Sequence, residues 1–126
     1  DIEHFLESDH GWHPMTPDKA FDRHWAETIL SEALKTLREE FEKRNRSEVF
    51  RVLSKFLSWR ATEEGPQLAA AEELGMAPNA FGMQLQRTRK RLATLIETQI
   101  ARTVASREAL KQELAYFYEI LREPNA

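Results

Sequence analysis

Glycine and proline occur only 4 and 5 times in 126 residues, and between the places where they fall the apolar side chains recur every three or four positions. A chain so sparsely punctuated, with that period, has helices as its regular structure. No stretch shows the alternation or β-branched enrichment of a strand. The expected fold class is all-α: a helical bundle of about five helices, with residues 1–15 as a linker or N-terminal arm and 16–126 as one domain. Thr16-Pro17-Asp18 has the residues of a helix start, a hydroxyl N-cap followed by proline at the first helical position and an early acid. Phe21, Trp25, Ile29, Leu34, Leu37 and Phe41 then give this helix a core-facing stripe as far as about Arg44. Its other face is charged (Glu27, Glu32, Lys35, Glu39, Glu42, Lys43), as a solvated face should be. Asn45-Arg46 breaks it and Ser47 caps a second helix, striped by Phe50, Leu53, Phe56 and Leu57, with Trp59 at its end.

Residues 61–66 read as a loop, and Gln67–Leu74 as a short Ala-rich helix closed by Gly75, glycine being the natural residue for a left-handed C-terminal position. From Pro78 a longer helix continues to about Val104. Ser106 caps the last one, in which Leu110, Leu114, Phe117 and Leu121 step by four, three and four before Pro124 closes it. That last stripe is expected to pack on the first helix.

Composition excludes several function classes. With no cysteine there is neither a disulfide framework nor a Cys-based zinc site, which suits a cytoplasmic protein. No apolar run approaches a membrane span and no signal peptide is visible, so no membrane partner is expected. The chain opens on Asp1 rather than Met and is expected to be a piece of a longer protein. His10 and His13 beside Asp9 lack a further ligand at metal spacing, and His24 beside Trp25 is expected at the surface, so neither metal nor cofactor is anticipated. No Ser/His/Asp arrangement, phosphate loop or paired-carboxylate motif is present, and an enzyme is not expected.

Charge is more informative. The net charge of −3 conceals a segregation: residues 78–106 hold Arg87, Arg89, Lys90, Arg91 and Arg102 against Glu97 alone. Fields are screened over about 8 Å at physiological salt, so a partner meeting this segment feels its local positive charge. The segment also follows a short helix and the turn Gly75-Met76-Ala77, the outline of a helix-turn-helix. At about 100° per residue, Phe81, Leu85, Thr88, Leu92 and Ile96 form one core-facing stripe. Asn79, Met83, Gln86 and Lys90 fall opposite with Arg87 beside them, and Arg89 and Arg91 flank the edges. The outward face is therefore polar and uncharged in its first turns and basic two turns later. A recognition helix requires that order, meeting base edges near its N-terminus and phosphates where it leaves the groove. The bland alternative is a solvated basic face, but no acid lies between Pro78 and Ile96 in a chain rich in glutamate.

Three stretches carry a family resemblance covering about residues 17–122: FDRHWAETILSEALKTLREEFEKRNRSEVFRVLSKFL, QLAAAEELGMAPNAFGMQLQRTRKRL and TQIARTVASREALKQELAYFYEIL. In this order they resemble region four, the C-terminal DNA-binding part, of an extracytoplasmic-function (ECF) sigma factor. The resemblance implies a bacterial transcription initiation factor whose helix-turn-helix binds the promoter −35 element in duplex DNA and docks on the β flap of RNA polymerase core, with an anti-sigma factor as a further partner. It implies phosphate contacts from Gln67, Arg87, Arg89, Lys90 and Arg91, and base reading by Asn79, Met83, Gln84 and Gln86. Asn and Gln pair with adenine, and Met offers an apolar contact to a thymine methyl. The chain departs from the family pattern at Ala77, which cannot cap the recognition helix, and at Pro78 and Gly82, which cannot reach a base. The second expectation, from another class, is a helix-turn-helix scaffold serving as a protein-interaction module, with weak or no DNA binding and the last helix as its working surface for an anti-sigma factor or a second copy.

Overall fold

The computed structural model describes residues 17–57 and 64–122. Their regular elements are all helical: α1 (Pro17–Lys43), α2 (Ser47–Leu53) running into a 3-10 turn (Ser54–Phe56), α3 (Glu64–Glu73), α4 (Pro78–Ala101) and α5 (Arg107–Arg122). The all-α expectation, with five helices, holds for these residues. The arm at 1–15, the Thr16 cap, Asp9, His10, His13, Trp59 and Pro124 lie outside them.

The chain divides into two compact units. One takes in the described residues up to Glu32 and from Ile96 onward, the other Ala33–Leu95. In the first, α5 lies on the start of α1, as its apolar stripe predicts. Phe117 is fully buried and meets the Trp25 ring edge-on at 6.0 Å, while Tyr116 stacks on Trp25 at 6.4 Å. Polar ties reinforce this contact. The Arg23 guanidinium donates to the Ile120 carbonyl at 3.2 Å and the Tyr116 hydroxyl donates to Asp22. Burial, with Glu97 adding to it, pushes the Tyr118 phenol above its ordinary pKa. Ser106 caps α5 as expected, its Oγ accepting from the Ala109 N–H at 3.0 Å. Three details differ from the sequence reading. Phe21 is 71% exposed, Trp25 is half-buried, and on α5 it is Phe117 and Ile120 that go under while Leu110, Leu114 and Leu121 stay partly exposed. His24 is exposed, as expected.

In the second unit the buried residues come from the end of α1 (Ala33, Leu37, Phe41), from α2 and its 3-10 turn (Phe50, Val52, Leu53, Phe56), from Ala70 and Ala71 of α3, and from the α4 stripe as far as Leu92. Phe41 packs on Phe50 at 5.4 Å and Phe56 meets Phe81 edge-on at 5.7 Å. Each large apolar side chain buried this way stabilises the fold by about 1.5–3 kcal/mol relative to exposure.

Two chain reversals share one solution. At the end of α1, Asn45 adopts φ +59, so that its N–H reaches the Glu42 carbonyl and the Arg46 N–H the Phe41 carbonyl. At the end of α3, Gly75 adopts φ +67, and the N–H groups of Gly75 and Met76 reach the carbonyls of Glu72 and Ala71. Both are Schellman closures, which satisfy helix-end carbonyls through one left-handed residue. Helix α3 begins at Glu64 rather than Gln67, so the expected loop gives up its last residues to the helix. Pro66 is accommodated because it falls in the first turn, where its missing N–H would have no intrahelical partner.

Candidate nucleic-acid interface

Helix α4 turns the stripe Phe81, Leu85, Thr88, Leu92 and Ile96 inward, each at most 2% exposed. Thr88 is the polar member. Its hydroxyl donates to the Gln84 carbonyl at 2.7 Å and accepts from Gln84 Nε2 at 3.3 Å, so its burial leaves no orphaned oxygen. With that stripe fixed, the opposite face of α4 is set by helical geometry alone. Asn79, Met83, Gln86, Arg87 and Lys90 are all exposed. Ala77 stands at the N-cap, where its carbonyl accepts from the Phe81 N–H at 3.0 Å, but no side-chain oxygen closes the first turn.

Between α3 and the first turns of α4 lies an open concavity of about 430 Å³, reached by Gln67 from one helix and by Asn79, Gly82, Met83 and Gln86 from the other. Gly82 has nothing within 4 Å of where a Cβ would stand, so the concavity has a bare stretch of backbone on its floor.

The sequence-predicted residues separate into outward and engaged groups. Gln84 is half-buried and accepts from the Arg46 guanidinium at 3.4 Å as well as donating to Thr88. Arg89 turns back to the end of the 3-10 turn, donating from Nε at 3.2 Å and from Nη2 at 2.7 Å to the Phe56 carbonyl. Arg91 forms a two-point ion pair with Glu40 of α1, at 3.1 and 2.6 Å. That hydrogen bond holds the Glu40 carboxyl below the usual glutamate range, outweighing its partial desolvation, and raises Arg91 in turn. Arg87 and Lys90 make no hydrogen bond or ion pair with another described residue.

Sequence reasoning placed the basic run and missed its internal partners. Arg46, the Phe56 carbonyl and Glu40 stand 38, 33 and 51 positions from Gln84, Arg89 and Arg91, beyond any local pattern. A further tie joins α2 to α3 through Arg51, which pairs with Glu48 and, at 2.6 Å, with Glu73. Hydrogen bonding to Arg51 lowers the Glu48 carboxyl, and both acids raise the guanidinium. Among the described residues no group of three or more potential metal ligands occurs, and no helix is long and apolar enough to cross a membrane. Comparison of the chain with family models, curated proteins and solved structures returns no match.

Proposed function

We propose that α3, its glycine turn and α4 form a helix-turn-helix that docks on duplex DNA. In the setting the sequence resemblance implies, it is the −35-binding, polymerase-recruiting region-four part of an ECF sigma factor in the cytoplasm. The proposed role is non-catalytic. The observation that carries it is the order of side chains along the outward face of α4: Asn79, Met83 and Gln86 first, then the exposed cations Arg87 and Lys90, which pair with no other described residue. Phosphate contacts fix a protein on the duplex and base contacts choose the sequence, so the two ends of this face have separate tasks. In this reading Gln67, which borders the concavity, contacts a phosphate on the strand beside α3.

Arg87→Ala is expected to weaken binding to all duplexes alike and to flatten the salt dependence, since each phosphate neutralised contributes a slope of about −0.9 in log K against log salt. Gln86→Ala is expected to change the order of preference among promoter fragments while leaving that slope in place. If neither substitution changes affinity in a fluorescence-anisotropy titration, the proposal fails.

The exposed Phe21 on α1 favours the second reading, a protein-interaction module that binds an anti-sigma factor or a second copy. A salt titration separates the two. Affinity for duplex DNA that falls steeply with salt supports docking on DNA, and no binding even at low salt supports the interaction module.

A further inference from the structure

The geometry points to A·T base pairs, read in the major groove, as the sequence that the first turns of α4 select; this rests on the DNA-docking proposal above and goes beyond it. The reason is what the fold does with its cations. Guanine is read most often by Arg or Lys, bidentate to O6 and N7, and adenine by Asn or Gln, bidentate to N6 and N7. On α4 no cation precedes Arg87. Arg89, which also lines the concavity, has its guanidinium engaged by two hydrogen bonds to the Phe56 carbonyl. Arg46 has its guanidinium on Gln84. The other polar side chains at the concavity are three amides, Gln67 of α3 and Asn79 and Gln86 of α4, beside the thioether of Met83, which is 55% exposed. Amides that present a donor beside an acceptor match the adenine edge. An exposed methionine has only the thymine methyl as an apolar partner in that groove.

Gly82 adds the access. With nothing within 4 Å of a Cβ position, the helix backbone at this turn can approach base edges closely enough for short amide side chains to reach them. Discrimination then comes chiefly from matched donors and acceptors, with the apolar contact of Met83 on the thymine methyl adding to it.

The test uses the whole chain and equal-length duplexes whose central steps are all A·T or all G·C, in one buffer at low salt. The A·T duplex is expected to bind on the order of tenfold more tightly, the discrimination of a single well-made amide–adenine pair. Replacing its adenines by 7-deazaadenine, which lacks N7, is expected to erase that preference, and replacing thymine by deoxyuridine, which lacks the methyl, to reduce it. Both changes leave minor-groove edges unaltered, so they separate major-groove reading from duplex shape. Gly82→Arg, whose side chain starts in open space, is expected to shift preference toward G·C steps. Equal affinity for the two duplexes with normal salt dependence would overturn the inference and leave DNA docking standing. Preference for A·T that survives 7-deazaadenine would overturn it too. Absence of binding to either duplex at low salt would remove the docking proposal and this inference together.

Discussion

Gly75 and Gly82 lie seven positions apart and have opposite roles. Gly75 sits at φ +67, where an L side chain meets its own backbone and glycine does not. Gly75→Ala is expected to lower stability by about 1 kcal/mol. Gly82 lies inside α4 with an ordinary helical backbone and open space where a Cβ would go. Gly82→Ala is therefore expected to raise stability by about 0.5–1 kcal/mol, chiefly by restricting the unfolded chain. Urea titrations of the two variants check both, since the midpoint should move in opposite directions at constant slope. Gly75 was legible in the sequence from its place after an Ala-rich helix. The role of Asn45 in the other turn was not, because asparagine takes the left-handed conformation too seldom for its presence alone to announce it.

At the scale of elements, periodicity carried most of the fold. The α4 stripe from Phe81 to Ile96 follows from residue spacing alone, because a helix repeats its buried face through one geometric rule. Spacing failed where tertiary packing chose among apolar residues. Phe21 has the spacing of a core residue, yet it stays exposed, and on α5 Ile120 goes under where Leu121 does not. The candidate site was legible in its outward face and illegible in its bracing, which runs through residues far apart in the chain. Arg89 is the most consequential brace. Its guanidinium holds the carbonyl at the end of the 3-10 turn that carries Phe56, and Phe56 in turn packs on Phe81 of α4. Arg89→Ala removes a charged donor from that carbonyl and is expected to cost about 1.5–3 kcal/mol. Thermal denaturation checks the loss. Below the melting transition the salt slope of duplex binding should match that of the native chain, because this cation is spent inside the protein. Arg87→Ala is expected to behave in the reverse way, with the slope reduced and stability kept.

For the molecule as a whole, net charge is a poor guide to what a duplex would meet. The chain carries −3, and folding withdraws one more cation from its basic segment by setting Glu40 against Arg91. Acid does not release that cation under ordinary conditions. The Glu40 carboxyl is held below its usual range by the Arg91 hydrogen bond, so the pair's contribution to stability is fully present above the unfolded-state value. It is lost only as pH falls through the lower folded-state value. The contribution itself is small, about 0.2–1 kcal/mol, because the Arg91 side chain remains half-exposed and is screened by solvent. Substitution can do what pH does not. Glu40→Gln removes the opposing charge with little change of shape, leaves the fold close to native stability, and returns Arg91 to the outward charge of α4. If that arginine can then reach a phosphate, duplex affinity should rise for every sequence, and the slope of log K against log salt should steepen by about 0.9. The same titration on Glu40→Gln combined with Arg91→Ala should show neither change. A rise that persists in the double variant would trace the effect to the lost negative charge at Glu40 rather than to Arg91.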